Sequence, residues 1–187
     1  MKTIKFATSN LGKLSEAQKL LSNLGFEVVQ LDRPYPEIQG PDLEEVATFG
    51  IKWILKEKEI EDAVMIEDSG LFVHGLSDFP GVYSKFVFTS IGCEGILKLL
   101  EEKDDRSAHF EAVIAYCEKG GEPHIFKGRV DGEIAYEPKG ENGFGYDPIF
   151  VPEGEVRTFA EMQIQEKNQY SHRARALEKL ADYLGKL

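Results

Sequence analysis

The chain has 187 residues, enough to bury a hydrophobic core, and we expect one domain over residues 1–187. Hydrophobic residues make up 42% and no apolar run approaches the roughly 20 residues that span a bilayer, so we expect no membrane partner. The formal net charge of -11 argues against nucleic acid and anionic membranes, but it permits a small phosphorylated ligand held by local lysines or a divalent cation. Two isolated cysteines, Cys93 and Cys117, and the lack of a signal-peptide pattern predict a cytoplasmic protein.

The first third of the chain predicts a βαβ unit, a proline-rich loop and a second helix. A strand over 2–8 is followed by a helix and a strand over 26–31, which favours a parallel pair. Residues 32–41 form an irregular loop that contains Glu37, and a helical pattern begins at Asp42. The apolar positions of the two helices are Leu14, Ala17, Leu21 and Leu24, then Leu43, Val46, Ala47, Ile51, Ile54 and Leu55.

The remaining segments predict a mixed α/β protein. A short buried strand over 63–66 ends in Glu67-Asp68-Ser69-Gly70, and the middle third looks antiparallel, with a hairpin signal at 118–122. A polar turn contains Lys167 and Asn168, and the last helix begins at Ser171. The other predicted elements are a helix over 91–103 and strands over 109–117, 124–130, 132–136 and 149–151.

Thr8-Ser9-Asn10-Leu11-Gly12-Lys13 joins the first strand to the first helix. Either Ser9 or Asn10 can cap the helix, and Lys13 lies on its first turn. An anion at this helix end would meet backbone amides, hydroxyls and an ammonium group. The segment lacks the P-loop pattern, and a plain N-cap followed by a solvated lysine remains an equal alternative.

Glu67-Asp68-Ser69-Gly70 places two carboxylates at the expected end of a buried strand, where ligands of α/β proteins gather. Because adjacent strand side chains point to opposite faces, one of the two acids is expected to be structural. The alternative is an acidic turn with no further role.

Two later stretches also combine unusual residue types. Phe144 and Tyr146 lie among glycines, which suits a platform for a planar base, although a hydrophobic plug under a loop is the simpler interpretation. His172 and Arg173 occupy the positive end of the last helix, which indicates an anionic or acceptor-rich partner nearby. On pattern alone, Lys52 is a solvated lysine, and His74, His109 and His124 receive no role.

Six segments, in this order and spacing, resemble the inosine triphosphatase (Ham1-like) family of nucleoside triphosphate pyrophosphatases over essentially the full chain. The segments are Thr8-Ser9-Asn10-x-x-Lys13-x-x-Glu16, Glu37, Asp68-Ser69-Gly70-Leu71, Phe79-Pro80-Gly81-Val82-Tyr83-Ser84, Gly143-Phe144-Gly145-Tyr146-Asp147-Pro148 and Lys167-Asn168-x-x-Ser171-His172-Arg173.

The resemblance implies an α/β fold with a long mixed β-sheet flanked by helices, in two lobes with a central active-site cleft, and a homodimer. It implies Mg2+-dependent hydrolysis of non-standard purine nucleoside triphosphates (ITP, dITP and XTP) to the monophosphate plus pyrophosphate. Lys13, Glu37 and Asp68 would be catalytic, with Glu37 and Asp68 at the metal and Asp68 also the candidate base. The substrate-binding residues would be Thr8, Ser9, Asn10, Lys13, Lys52, Ser69 and Gly70 for the phosphates, then Phe144, Gly145, Tyr146, Asp147, Lys167, His172 and Arg173 for the base.

The chain departs from the family pattern at two places. Glu67 replaces the usual Asp before Asp68, and Lys85-Phe86 follows Ser84 where many bacterial members have Ala-Arg, so no role of that arginine carries over. Three rival functions remain open from the sequence: a pyrophosphatase for another modified nucleotide, a nucleotide-binding regulator without turnover, and a structural dimerisation domain.

Overall fold

The structure is a computed structural model that describes residues 2–36, 38, 40–56 and 61–186. The predicted catalytic residue Glu37 therefore lies outside the described residues. Five α-helices and seven strands are present in the described part of the chain: β1 (Lys2–Ala7), α1 (Leu11–Ser22), β2 (Phe26–Leu31), α2 (Leu43–Ile54), β3 (Ala63–Val73), β4 (Phe79–Pro80), α3 (Ser84–Leu99), β5 (Ser107–Cys117), β6 (His124–Ile134), β7 (Phe150–Pro152), α4 (Ile164–Tyr170) and α5 (His172–Leu184).

The seven strands form one mixed sheet in the order β2-β1-β3-β5-β6-β7, with β4 paired to β3. β1 runs parallel to both β2 and β3, whereas β4 is antiparallel to β3 and β7 is antiparallel to β6. The predicted βαβ unit with its parallel pair is confirmed, and so is the α/β class with a mixed sheet. β5 and β6 are neighbours joined by a short connection, as the hairpin signal predicts.

The chain divides into two compact units, and each has its own hydrophobic core. The first unit comprises Met1–Asp68, Ala112–Gly128 and Arg173–Leu187, and its core includes Phe6, Leu21 and Leu177. The second comprises Ser69–Glu111 and Arg129–His172, with a core that includes Leu71, Phe110 and Phe150. Strands β3, β5 and β6 contribute residues to both units. The expectation of one domain with two lobes stays a prediction.

The central strand is longer than predicted, so the prediction that it ends at Glu67-Asp68-Ser69-Gly70 is wrong. β3 continues to Val73, because Leu71 and Val73 alternate into the core and Phe72 pairs with Pro80 of β4. Gly70 is needed within this strand, since a Cβ atom there would lie 2.4 Å from the carbonyl oxygen of Gly81.

Other element boundaries also differ from the prediction. The polar turn around Lys167 is the short helix α4, which a capping box of Gln163 and Glu166 begins, and seven residues are too few to show a helical period. The strands predicted over 124–130 and 132–136 are one strand, β6. The predicted helix over 91–103 begins earlier, at Ser84, and is broken at Gly92, where φ is 62°. None of the described helices combines the length and apolar character needed to cross a membrane.

Candidate active site

The loop before α1 is shaped by Asn10, which is the N-cap of the helix. Asn10 Oδ1 accepts hydrogen bonds from the backbone amides of Gly12 at 2.9 Å and Lys13 at 3.2 Å. Thr8 Oγ1 in turn accepts from the Asn10 amide at 3.1 Å. The choice between Ser9 and Asn10 as cap is therefore settled in favour of Asn10, and Ser9 remains exposed beside it.

Lys13 connects this loop to the central strand. Its Nζ atom lies 3.2 Å from the backbone carbonyl oxygen of Glu67 and 3.5 Å from Glu67 Oε1. That carbonyl belongs to the peptide bond that links Glu67 to Asp68. Two stretches that the sequence singled out separately, more than fifty residues apart, are thus in contact within the first unit.

A buried network of four charges extends from this contact. Arg173 Nε donates to both carboxylate oxygens of Glu67, at 2.9 and 2.7 Å, and Arg173 Nη1 donates to Glu16 Oε2 at 2.7 Å. Glu16, Glu67 and Arg173 are all at most 5% exposed, and with Lys13 they form an electrically balanced set of two anions and two cations. Burial alone would raise the pKa of Glu67, but the charges of Arg173 and Lys13 and their hydrogen bonds lower it below its usual value.

Arg173 was expected at the polar edge of the base site, and the structure shows it bound to carboxylates of the protein. The first turn of α5 does have an anionic partner, as predicted, but the partners seen are the protein's own Glu67 and Glu16. The guanidinium of Arg173 is 1% exposed and is held by these two carboxylates. A direct contact of Arg173 with a purine stays a prediction.

Asp68 follows Glu67 along β3, and its side chain leaves the strand on the opposite face. Asp68 and Ser69 are half-buried, whereas Glu67 is enclosed. Glu67 is therefore the structural member of the acidic pair. Asp68 is the member whose side chain reaches solvent.

Lys52 is exposed on α2 in the first unit. It borders a groove of about 400 Å³ together with Phe49 and three acids, Asp42, Glu44 and Glu45. An exposed ammonium beside a groove is able to meet an anionic ligand without an unfavourable desolvation of its own charge. Its role at a phosphate stays a prediction.

The glycine-rich loop of the second unit is folded around the Asp147 carboxylate. Asp147 Oδ2 accepts from Lys167 Nζ at 2.7 Å and from the Phe144 amide at 2.9 Å. Gly143 has a φ of 76°, and a Cβ atom there would lie 2.0 Å from Asp147 Oδ2, so only glycine lets the loop close on this carboxylate. The Asp147–Lys167 ion pair is buried on both sides.

The two aromatic residues of this loop have different environments. Tyr146 is 3% exposed and donates its hydroxyl to the Ser84 carbonyl oxygen at 3.1 Å, so it is a core anchor. Phe144 is half-buried like Gly145, and Lys167 Nζ lies 4.9 Å from the centre of its ring. Phe144 is consequently the better candidate of the two for stacking on a base.

His172 and Glu16 are both buried. His172 is buried and its ring stacks on Phe110 at 4.7 Å, so its contact with a base stays a prediction. Glu16 was part of a motif but had no assigned role. Its position three residues after Lys13, on the same side of α1, was a usable signal for a paired charge.

Asp68 carries the carboxylate expected at the metal. Glu16 and Glu67 pair with Arg173 and Lys13, and Asp68 is half-buried next to Glu67 in sequence. Mg2+ prefers one or two carboxylates together with water and phosphate oxygens. Asp68 fits that donor set, and the second expected carboxylate, Glu37, lies outside the described residues.

Comparisons with known proteins match this architecture across the whole chain. The model of the Ham1 family matches residues 4–183. The dITP/XTP pyrophosphatase of Thermococcus kodakarensis is 55% identical over 97% of this chain and 96% of its own length, and that of Pyrococcus horikoshii is 50% identical over the same shares. Among solved structures, a HAM1 protein from Coxiella burnetii covers 100% of both chains with a TM-score of 0.88 and 36% identity. The Staphylococcus aureus Ham1 protein covers 99% of both chains with a TM-score of 0.83 and 33% identity.

The resemblance stated from the six sequence segments is therefore confirmed at the level of the family, since the match extends over both compact units of the fold. The chain belongs to the Ham1 family.

Proposed function

We propose that this protein hydrolyses non-standard purine nucleoside triphosphates, namely ITP, dITP and XTP, to the nucleoside monophosphate and pyrophosphate. Two relatives that are 55% and 50% identical over 97% of this chain are named dITP/XTP pyrophosphatases. The reaction would remove deaminated purines from the nucleotide pool.

The observation that carries this proposal is the contact of Lys13 Nζ with the Glu67 carbonyl oxygen at 3.2 Å. This contact places the Lys13 ammonium group next to the peptide bond of Asp68. Lys13 lies on the first turn of α1, which Asn10 caps and which the hydroxyl-bearing residues Thr8 and Ser9 precede. A triphosphate carries about four negative charges, so a chain of net charge -11 needs such local cations to hold it. Lys13, Thr8, Ser9, Asn10, Lys52, Ser69 and Gly70 are the proposed phosphate contacts.

Lys13 suits this role because the buried network holds its ammonium group in position. Glu67 is shared between Lys13 and Arg173, and Arg173 is shared in turn with Glu16, so the four charges sum to zero. The network holds the ammonium in one place before substrate arrives, which reduces the ordering cost of binding.

The proposed cofactor is Mg2+, with Asp68 and Glu37 as its protein ligands. When bound, it would neutralise phosphate charge and polarise the phosphoryl oxygens. This proposal rests on the donor chemistry of Asp68 and on the family membership of the chain.

A second proposed role of Asp68 is to activate the water molecule that attacks the α-phosphorus. Its carboxylate would orient this water and accept a proton from it as the new P–O bond forms. The bond between the α-phosphorus and the bridging oxygen breaks, and that oxygen leaves with pyrophosphate. Lys13 would stabilise the negative charge that develops on the phosphate oxygens.

Selection of the base is proposed to involve the second unit. Phe144 would stack on the purine, while Tyr146 and Gly145 shape the loop beneath it and the Asp147–Lys167 pair fixes the loop. Hypoxanthine and xanthine present a 6-oxo acceptor where adenine presents an amino donor. A protein donor that pairs with the oxo group, from Lys167, His172, Arg173 or backbone, would be left unpaired against adenine, at a cost of about 1–3 kcal/mol.

We also propose a cytoplasmic homodimer. Free cysteines at Cys93 and Cys117 agree with a reducing compartment. Exposed apolar side chains occur repeatedly over residues 79–91, with Phe86 70% exposed, and this supports contact with a second copy. The strongly acidic charge supports a small-molecule substrate rather than nucleic acid or an anionic membrane surface.

The proposal is tested by incubating the protein with Mg2+ and a panel of ITP, XTP, dITP, GTP and ATP. We expect one pyrophosphate per monophosphate formed, with faster turnover of the first three nucleotides. Release of orthophosphate would indicate a γ-phosphatase instead. Nucleotide binding without any product would identify a regulator.

A further inference from the structure

The second unit contains a cluster of two histidines and one aspartate to which neither the sequence patterns nor the proposed reaction gives a task. His74 Nε2 lies 3.0 Å from His109 Nδ1 and 3.9 Å from Asp78 Oδ1. One ligand atom from each of the three residues lies within 4.8 Å of the others. We propose that His74, Asp78 and His109 bind one divalent transition-metal ion of the Zn2+ class.

The spacing of these three atoms suits a tetrahedral ion with a water as fourth ligand. Zn–N and Zn–O bonds of about 2.0–2.1 Å place neighbouring ligands of a tetrahedron about 3.4 Å apart. The distance between His74 Nε2 and His109 Nδ1 must increase from 3.0 Å by a few tenths of an ångström, and that between His74 Nε2 and Asp78 Oδ1 must decrease from 3.9 Å by a similar amount. The ligand atoms of His109 and Asp78 lie within 4.8 Å of each other and need to close to the same spacing.

His74 is already oriented as a metal ligand. Its Nδ1 atom lies 2.9 Å from Ser107 Oγ, and Ser107 donates its hydroxyl proton to Asp105 Oδ1 at 2.5 Å. Ser107 Oγ therefore accepts the proton of His74 Nδ1, and Nε2 of the neutral ring carries a lone pair directed at His109. A histidine ligand held through its other nitrogen is the usual arrangement around a bound metal.

His109 is held in place by its neighbours. Its ring is 8% exposed and stacks on Phe72 with centroids 4.7 Å apart and an interplanar angle of 2°. In the present contact, His109 Nδ1 donates its proton to the lone pair of His74. Metal binding replaces this proton, which moves to Nε2 of the same ring, so both facing nitrogens become ligands.

Asp78 supplies the negative charge and is held there by an unusual backbone. Ser77 and Asp78 have φ values of 55° and 62°, a conformation that non-glycine residues seldom adopt. The Asp78 side chain is 60% exposed, which leaves the ion an open side for water. The nearby cation Arg129 is paired with Asp131 at 2.6 Å, so its charge is offset.

The donor set also identifies the class of ion. Two imidazole nitrogens and one carboxylate favour Zn2+, Co2+, Ni2+ or Cu2+, whereas Mg2+ prefers oxygen ligands alone. The residues differ entirely from those proposed for Mg2+, so this inference stands independently of the proposed function.

Isothermal titration of the tag-free, chelator-treated protein with Zn2+ tests the proposal. Millimolar Mg2+ is kept present so that oxygen-only sites are occupied. We expect one Zn2+ per chain, and at least a 10-fold loss of affinity in His74→Ala and Asp78→Asn, both of which alter exposed side chains. Ser107→Ala, which removes the hydroxyl that accepts from His74 and donates to Asp105, is expected to weaken binding about 10-fold or more.

His124→Ala is the matched control, because His124 is exposed and contacts Tyr183 instead. It and Asp68→Asn are expected to bind Zn2+ like the unaltered protein. Co2+ provides a second readout, since ligation by His74 and His109 gives a tetrahedral absorption band that His74→Ala loses. Unchanged Zn2+ affinity in both His74→Ala and Asp78→Asn, or loss of binding in Asp68→Asn alone, would overturn the proposal.

Discussion

Arg173 Nε donates to both carboxylate oxygens of Glu67, at 2.9 and 2.7 Å, although 106 positions separate the two residues in sequence. Both side chains are almost completely buried. A buried ion pair contributes little net stability relative to a hydrophobic replacement, but loss of one partner leaves an uncompensated charge in the interior. The pair therefore makes the stability of the first unit sensitive to either residue.

Replacement of Arg173 by Met tests this dependence. Glu16 and Glu67 would lose their shared cation, and we expect the free energy of unfolding to fall by about 3–5 kcal/mol. Urea denaturation at neutral pH measures the change. Lys179→Met, at an exposed position of the same helix, is the control. It loses one exposed hydrogen bond to the Lys127 carbonyl oxygen and should change stability by less than about 0.5 kcal/mol. Equal effects of the two variants would contradict the structural role of Arg173.

The pH dependence of stability provides a second test at Glu67. The folded state lowers the pKa of this carboxyl below its usual 4.5, so ionised Glu67 stabilises the fold above that pH. This contribution is lost as the pH falls through the folded-state pKa. We expect the difference in unfolding free energy between the unaltered protein and Glu67→Gln to be largest near neutral pH and to shrink below pH 4.5. A difference that stays constant with pH would show that the charge of Glu67 is unimportant.

Asp68→Asn tests the proposed base and metal ligand. We expect kcat for dITP or XTP to fall about 100-fold or more, with little change in thermal stability, because Asp68 is half-buried rather than enclosed. Asp62→Asn is a matched control, since Asp62 is a partly exposed acid paired with Lys5 at 3.5 Å. Near-normal turnover of Asp68→Asn would remove Asp68 from the mechanism.

Lys52 and Lys56 form a natural pair of test and control on and just after α2. If Lys52 contacts phosphate, Lys52→Gln should raise KM for the triphosphate by about 10-fold, the lower range for a hydrogen bond between charged groups. Lys56 lies over the Trp53 ring instead, and Lys56→Gln should leave KM unchanged. Steady-state kinetics at two salt concentrations measure both. A similar KM for the two variants would indicate that Lys52 is a solvated lysine that does not contact phosphate.

Phe144→Leu tests whether this ring stacks on the purine. Loss of stacking is expected to cost about 1–3 kcal/mol, which is a decrease of roughly 5- to 150-fold in kcat/KM for dITP. Inhibition by inorganic tripolyphosphate, which has no base, should be unaffected. Tyr136→Leu removes an 86% exposed aromatic residue and serves as the control. Weaker inhibition by tripolyphosphate in Phe144→Leu would point to a general disturbance of the site.

Local patterns were sufficient where neighbouring residues decide the structure. The helical period of Leu14, Ala17 and Leu21 predicted α1, and all three are buried, whereas Leu24 lies beyond the helix end. Likewise the strand over 26–31 was predicted with its observed ends. Prediction failed where the determining contacts are distant in sequence, as at β3, whose continuation depends on its pairing with Pro80 and on the close approach of Gly81 to Gly70.

At the candidate site, too, local patterns identified some features, whereas contacts between distant residues decided the others. Residue types and spacing singled out Lys13 and the Glu67-Asp68 pair, and the resemblance to the family added Asp147 and Lys167, because each motif is a local arrangement of charges and glycines. The spacing also indicated that one of Glu67 and Asp68 is structural, since adjacent side chains of a strand alternate. It contained no information on which of the two is enclosed.

By itself, the sequence determined the α/β class, the family and the residue types of the proposed phosphate and metal site. Only the tertiary structure decided that Arg173 serves the carboxylates of Glu67 and Glu16, that Tyr146 is a core anchor while Phe144 is half-buried, and that His74 meets His109. The physical reason is that charge pairing and burial depend on which groups approach through space. A one-dimensional pattern records residue types and intervals, but it does not record which distant partner neutralises a charge.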